Sequence, residues 1–417
     1  MKDSVLAIPN FRWLWFGSFC SHLCQWIQHA TLGWVVYDLT GSGTLLGAVL
    51  GSRAIPVVLL APIAGVYADR YNRRVLLLSS QVLAAAASFI IGAALAFGVL
   101  ETWHLFAFMF AAGVSNILDR PARMTTVLDV VPPRLALQAV AINTFSFSIA
   151  RIIGPACAGY LLVWFGAAGN FMIQGVIYLM AGGMVLLVRF PPRTHAHKVS
   201  AWKDLVEGFR YAARDRTTRL LFTTGIVGFF MMGPASGALM PAFAKDVFGS
   251  GPEGLGIMLT GLGVGGIAGG VASSLMGRAD RHGLIHAVCI VALAMSLLGL
   301  AASPSIAWAF PFLALGGAAE MVLVTSNQTM LQMSAPDAMR GRIAGLTQLY
   351  PAVISSAVLL SGVLLDIAGA RGASALCGAI ALAVIGAMWL GSPRLRGLRL
   401  SEVRRDREAG EKSSGSA

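Results

Sequence analysis

Charge is what this chain has least of. Asp, Glu, Lys and Arg make up 12% of its 417 residues, against about 25% in a soluble globular domain. With 56% hydrophobic residues and a mean hydropathy of +0.73, a water-soluble fold is excluded. The five Cys form no C-x-x-C pair, so no metal knuckle or disulfide framework is expected, and they read as small apolar packing residues. No Walker A sequence occurs and no Lys follows a Gly-rich loop, which argues against ATP hydrolysis. Neither G-x-S-x-G nor H-E-x-x-H is present, so a membrane hydrolase would lack a nucleophile or metal site. Gly261 to Gly266 matches G-x-G-x-x-G, but inside an apolar run, with no strand before it and no acid about twenty positions on. Gly265/Gly269 and Gly266/Gly270 make it a close-packing surface instead. These absences leave no reason to expect an enzyme, a cofactor or a metal. A cleavable leader is also not evident, since Pro9, Asn10 and Arg12 precede the first apolar run.

Long apolar runs are what the chain has instead. A helix needs roughly 20 residues to cross a hydrocarbon layer of about 30 Å. Twelve runs meet or approach that length: Leu14–Val36, Leu45–Ala68, Val75–Gly98, Trp103–Leu118, Ala136–Phe165, Asn170–Val188, Leu220–Phe243, Leu255–Leu275, Ile285–Ala302, Ile306–Met330, Ile343–Asp366 and Ser374–Leu390. Of 31 Lys+Arg, Arg53 and Arg151 fall inside spans and Lys245 and Arg371 on the far side, leaving 27 on the near side. That asymmetry accounts for the net charge of +12 as positive-inside topology rather than a nucleic-acid face. An even number of spans with basic termini puts both ends in the cytoplasm.

The longest loop, Arg189 to Arg219, divides the spans six and six. Within it Trp202, Leu205, Val206, Phe209 and Ala213 share one helical face, with Lys203, Asp204, Glu207, Arg210 and Arg214 between them. The spacing predicts an amphipathic helix at headgroup level. The halves echo each other: Gly277 to Gly283 repeats the charged hinge Gly65-Val66-Tyr67-Ala68-Asp69-Arg70-Tyr71-Asn72-Arg73-Arg74, and Pro133 to Gly159 aligns with Pro336 to Gly362. The expected architecture is therefore an all-α membrane protein of two pseudo-symmetric six-helix bundles, residues 1–188 and 220–392. A cytoplasmic linker, 189–219, joins them, and a disordered basic tail, 393–417, follows.

That hinge, after a second span, resembles the loop 2–3 motif of the major facilitator superfamily. Asn72 stands where the family usually has Gly, a mild departure because Asn tolerates a left-handed turn. Asn10-Phe11-Arg12 with Tyr37-Asp38-Leu39-Thr40-Gly41-Ser42, Asp119-Arg120-Pro121-Ala122-Arg123, and Pro336-Asp337-Ala338-Met339-Arg340-Gly341-Arg342 narrow the likeness to the branch of enterobactin exporters and macrolide efflux pumps. The resemblance implies a secondary active transporter of the bacterial cytoplasmic membrane, with a single chain as the functional unit. It also implies that Asp69 docks on the start of span eleven and that Arg70 pairs with Asp119. By the repeat, Asp280, followed by Arg281, would face the start of span five. Gly65, Arg73, Arg74, Arg120, Arg123, Arg340, Gly341 and Arg342 complete these hinges. Arg151 with Gly154, Pro155 and Gly159 resembles a motif of proton-linked exporters, where small residues allow close helix approach and Pro bends the span.

Ionised groups at mid-bilayer must face a cavity or a partner. Arg53, Arg151 and Glu320 are three such groups; Glu320 could take and release a proton each cycle or be locked to an Arg, and the arginines could attract an anionic substrate or pin helix packing. His22, Gln25 and His29 share one face of span one, and Asn116, Asn143, Gln174, Asn327 and Gln348 are further polar candidates. Phe229, Phe230, Met231 and Met232 offer soft apolar surface to a bulky ligand or to lipid. The expected function is proton-coupled export of a mid-sized amphipathic compound, a siderophore or drug; its partners would be that small molecule, protons and the lipid bilayer. An importer or facilitator on the same scaffold, or a non-transporting membrane sensor, stays open.

Overall fold

The computed structural model describes residues 4–60, 72–190, 201–276, 280–336 and 339–398, and all regular structure among them is helical. Helix α1, Pro9–Thr40, opens with Pro at its first position and ends at Gly41, whose φ of 61° a glycine adopts without strain. Ser42 caps α2, Gly43–Ser52, by accepting the Leu45 N–H. Pro56 lacks the N–H that would bond the Ser52 carbonyl, and the helix is interrupted at Arg53 before resuming to residue 60. Helices α3, Arg73–Ala96, and α4, Thr102–Asp129, follow.

Helix α5, Ala136–Leu187, has 52 residues, about 78 Å if straight and more than twice a bilayer's hydrocarbon. Gly166, at φ 66° and ψ −179°, breaks it into two limbs in a conformation that is nearly glycine's alone. Next come α6, Ala201–Arg214; α7, Arg216–Ser236; short turns at Leu239–Ala242 and Phe243–Val247; α8, Pro252–Leu275; α9, His282–Ala302; α10, Ile306–Ser334; and α11, Arg340–Thr347. Helix α12, Tyr350–Gly391, is broken the same way at Gly369, φ 69°. Among the described residues, eight helical stretches are long and apolar enough to cross a membrane, two of them being the broken ones. Helices α1 and α4 fall outside those eight despite lengths of 32 and 28 residues, because they carry much of the inward-facing polarity described below.

Helix α5 packs on α1 and α3, and α4 on α3; in the later part of the chain α8 packs on α10, α9 on α10 and α12, and α7 on α12. The most extensive pairings that join residues 4–190, the first segment, to residues 201–398, the second, are α5 on α8 and α2 on α12; α1 adds smaller contacts with α8 and with the Leu239–Ala242 turn. The turns near Gly41, Gly98, Gly166, Gly249 and Gly369 all lie at one end, called distal here, and these five are the positive-φ glycines of the described residues. The opposite, basic end carries Arg73, Arg74, Arg134, Arg189, Arg281, Arg340 and Arg342. Trp103, Trp164 and Trp308 ring the distal end at 59%, 72% and 65% exposure, where indole rings favour a lipid interface.

Four expectations change. Helix α4 runs through Asp119 to Asp129 rather than stopping near Leu118. Asn72 is extended at φ −63° and caps α3 through its side chain instead of forming a left-handed turn. The tail begins ordered: Pro393–Gly397 is helical, and the Leu398 carbonyl accepts the Gly283 N–H, a first-turn donor of α9 with no intrahelical partner. Phe229, Met231 and Met232 are core rather than ligand surface, with Phe229 stacked on Tyr350 at 4.1 Å.

Candidate functional site

Near the basic end, α4 places Asp119 and Arg123 one turn apart. Arg123 donates from Nε and Nη2 to the two carboxylate oxygens at 2.7 and 2.5 Å, and from Nη1 to Ser18 Oγ at 2.8 Å. Gln81 and Ser80 donate to Asp119 Oδ1 at 2.9 and 3.2 Å. With every charge answered, the pair is buried at 5% and 3% exposure, which an unpaired ion could not be. Arg70, expected as Asp119's partner, lies outside the described residues, as do Gly65 and Asp69; the Asp119 carboxylate is held by Arg123. Arg120, the next residue on α4, is exposed. Arg73 pairs with Asp129, and Arg74 donates to the Leu186 carbonyl at 2.9 Å. Asp280 leads into α9, its carbonyl accepting the His282 N–H at 3.1 Å, and Arg281 occupies the cap position. Arg340 starts α11, and Arg342 bonds Glu207 of α6 at 3.0 Å. A Cβ at Gly341 or Gly345 would meet nothing within 4 Å among the described residues.

The distal end joins the two segments directly. Asp366, near the break in α12, accepts the Gly43 and Thr44 N–H groups at 2.6 and 2.9 Å and the Ser42 hydroxyl at 3.1 Å. A carboxylate thus sits on the unsatisfied, electropositive start of α2. Tyr37 donates to Asp246, Lys245 pairs with Asp38 at 2.7 Å, and His29 Nε2 lies 2.7 Å from the Ser236 carbonyl. The α2–α12 contact is backbone on backbone: a Cβ on Gly362 would lie 2.1 Å from the Gly43 carbonyl oxygen.

Midway between the ends, Arg151 of α5 donates to Glu320 of α10 at 2.8 Å, both side chains mostly buried. Its guanidinium stands 5.4 Å from the Trp26 ring centroid, a cation–π distance. Gly154 brings α5 against α1 at Trp26, while Pro155 and Gly159 meet Gly256 and Pro252 of α8. The G-x-G-x-x-G run is packing surface, since a Cβ at Gly265 or Gly269 would fall 1.9 or 2.3 Å from the Ala314 or Ala318 carbonyl oxygen.

Helix α1's polar residues diverge: His22 meets the edge of Phe147, His29 reaches Ser236, and Gln25 lines a cavity. That cavity, about 10 Å³ and so roomy enough for about one water, is lined by Gln25, Gln28, Arg53, Ser115, Asn116 and Tyr178 among others. Gly113 lets α4 approach the interruption in α2, for a Cβ there would lie 2.7 Å from the Arg53 carbonyl oxygen. Gln174 and Asn327 serve packing: Gln174 donates to Asn170 at 3.0 Å, and Asn327 donates to the Leu221 carbonyl and accepts from Tyr350. Gln348 lies exposed between α11 and α12, and Asn143 is half-buried on α5. Sequence reasoning missed Gln28, Tyr178 and Asp366. The first could have been found from its i,i+3 spacing with Gln25; nothing local marks the other two.

A family profile described as transmembrane secretion effector, of the major facilitator type, matches residues 4–396. The staphyloferrin A transporter of Staphylococcus aureus is 25% identical over 86% of this chain and 90% of its own length. The enterobactin exporter EntS of Shigella boydii is 27% identical over 77% of this chain and 74% of its own. Among solved structures, the nucleoside transporter NupG superposes with a TM-score of 0.73 at 14% identity, covering 91% of this chain and 98% of that one.

Proposed function

The chain belongs to the transmembrane secretion effector family of major facilitator transporters, and on that premise we propose that it exports a mid-sized amphipathic compound by proton-coupled alternating access. Twelve crossings in two bundles, residues 1–188 and 220–392, rock about a midplane pocket, with residues 189–219 linking them on the cytoplasmic side. The basic end faces the cytoplasm under the positive-inside rule, so closure at the distal end is the inward-facing arrangement. The observation that carries the reading is the Arg151–Glu320 pair, which ties α5 to α10 below the distal closure. Glu320 takes a proton from outside while the distal end is open and gives it up to the cytoplasm once that end has closed, which re-forms the pair with Arg151; binding of cargo then parts the segments there. Similarity to a named enterobactin exporter and to a named macrolide efflux protein supports the outward direction and a siderophore or drug as cargo.

At the basic end Asp69 docks on the start of α11 and Asp280 on the start of α5 when the cytoplasmic side closes; the repeated hinge sequence supports this. Asp69→Asn should lower export at unchanged membrane abundance. The central test is pH-gradient-driven extrusion of siderophores and macrolides from proteoliposomes. The expected result is extrusion by the parent and loss of gradient dependence in Glu320→Gln. A parent that moves none of them, or a Glu320→Gln that matches it at every pH, overturns the reading.

A further inference from the structure

Two hollows among the described residues differ in size and lining. The one beside Arg53 holds about one water. The other, of about 160 Å³, opens at the distal end and is lined by Trp34 and Asp38 of α1, Leu95 of α3, Leu162 and Ala167 on either side of the break in α5, and Pro252, the first residue of α8. Apart from Asp38 its wall is apolar, and an apolar cavity of about 150 Å³ is enough to take a benzene ring. The break at Gly166 shapes it, because the chain turns there and Leu162 and Ala167 come to face one space. The rim is acidic. Asp38 shares Lys245 at 2.7 Å in a pair exposed on both sides. Next to it on α1, Tyr37 donates to Asp246, and beside Pro252 the Glu253 carboxylate accepts the Gly251 N–H at 3.3 Å. Asp38, Asp246 and Glu253 thus stand around Lys245 at this mouth, while Arg371, also distal, is turned to the Ala301 and Ser303 carbonyls.

We propose that this distal hollow binds lipophilic monoammonium compounds, the apolar end lying against Trp34, Leu95 and Leu162 and the ammonium reaching Asp38 at the rim. The arrangement is that of a small-molecule site, an apolar wall with one placed polar group, and the surplus of acid at its mouth selects a positive head over a neutral or negative one. Lys245 is the group the ligand competes with. Its pair with Asp38 is partly exposed, so water screens it and exchange of one ammonium for another costs little. Pro252 closes the wall from the second segment, so the site is whole only while the distal end is shut. It lies apart from the Arg151–Glu320 pair and does not depend on what the chain exports.

The test compares 2-phenylethylammonium with 2-phenylethanol, alike in size and different in charge, by ligand-detected NMR titration of the purified chain in neutral-lipid nanodiscs, with empty nanodiscs as the blank. The parent should bind both and prefer the ammonium about threefold, the worth of one partly exposed charge pair. Asp38→Asn should remove that preference and leave the alcohol bound, whereas Lys245→Ala, which frees Asp38, should raise it severalfold. Ala167→Phe should fill the hollow and abolish binding of both probes at an unchanged unfolding temperature. If that chain does not purify folded, the two rim variants, both at exposed positions, carry the test. No binding above the blank, equal binding of both probes by the parent, an Asp38→Asn that still discriminates, or a Lys245→Ala that loses the preference would overturn the site. Binding seen only after lipid has been stripped with detergent would do so too, because a phospholipid chain is then the occupant.

Discussion

At the distal end Asp366 leaves its own segment and settles on the first N–H groups of α2, while at the basic end Asp119 is answered wholly by Arg123, Ser80 and Gln81 within the first segment. Both are carboxylates caught by several donors. One bridges the segments at a partly exposed surface, and the other braces one segment from within. The same helix, α4, carries the brace, and the same pair, α2 and α12, carries the bridge. Under alternating access the difference has a meaning. Contacts that must break each cycle are polar, water-competed and split between segments, and contacts that must persist are buried and internal. A Cβ at Gly362 would collide with α2, whereas one at Gly341, at the opposite end of the same α11–α12 stretch, would meet nothing among the described residues.

This contrast can be broken by mutation. The largest effect is expected at the brace. Arg123→Leu strands a buried carboxylate, at a cost of about 3–5 kcal/mol, and should abolish recovery of folded protein from membranes. Replacing both partners, Asp119→Leu with Arg123→Leu, should restore much of that recovery, as read by thermal unfolding. Gly362→Val comes next: the chain should fold, yet α12 can no longer seat on Gly43, so export should fall to background. If it transports normally, the backbone contact is not part of the cycle. Asp366→Asn is milder, because the amide still accepts hydrogen bonds while losing the charge on the helix start, worth about 0.3–1 kcal/mol. It should leave unfolding temperature unchanged and raise labelling of a cysteine at Thr44 severalfold. Smallest is Lys245→Ala. Its pair with Asp38 is 38% and 48% exposed, a setting worth about 0–1 kcal/mol, and export should stay within twofold of the parent.

How much was readable beforehand depended on range along the chain. Apolar runs are properties of neighbours, so the helical fold and its long apolar helices were legible in the residues alone. The breaks at Gly166 and Gly369 were approximated as loops because a single left-handed glycine leaves no composition change behind it. The reach of α4 was cut short at Asp119, since a charge in an apolar run reads as its end; Arg123 four residues on was the available sign that the charge is answered and the helix continues. Arg151 and Glu320 were each visible as misplaced charges, but their partnership spans 169 positions and depends on packing. The cap of Asp366 on α2 is longer still, at 323 positions, and an acid before a turn looks like any other. The apolar run at Phe229 to Met232 gave no hint of its burial, which is set by Tyr350 from the far end of the segment.

The account's central claim is that one end opens as the other closes. Paired spin labels test it most directly, in a chain whose Cys20, Cys24, Cys157, Cys289 and Cys377 are replaced by alanine. One pair, at Leu39 and Ile367, reports the distal end, and the other, at Leu137 and Leu275, the basic end; all four positions are exposed. Lowering pH in nanodiscs should lengthen the distal distance and shorten the basic one in the same population. Distances that stay fixed, or that lengthen together at both ends, would contradict it.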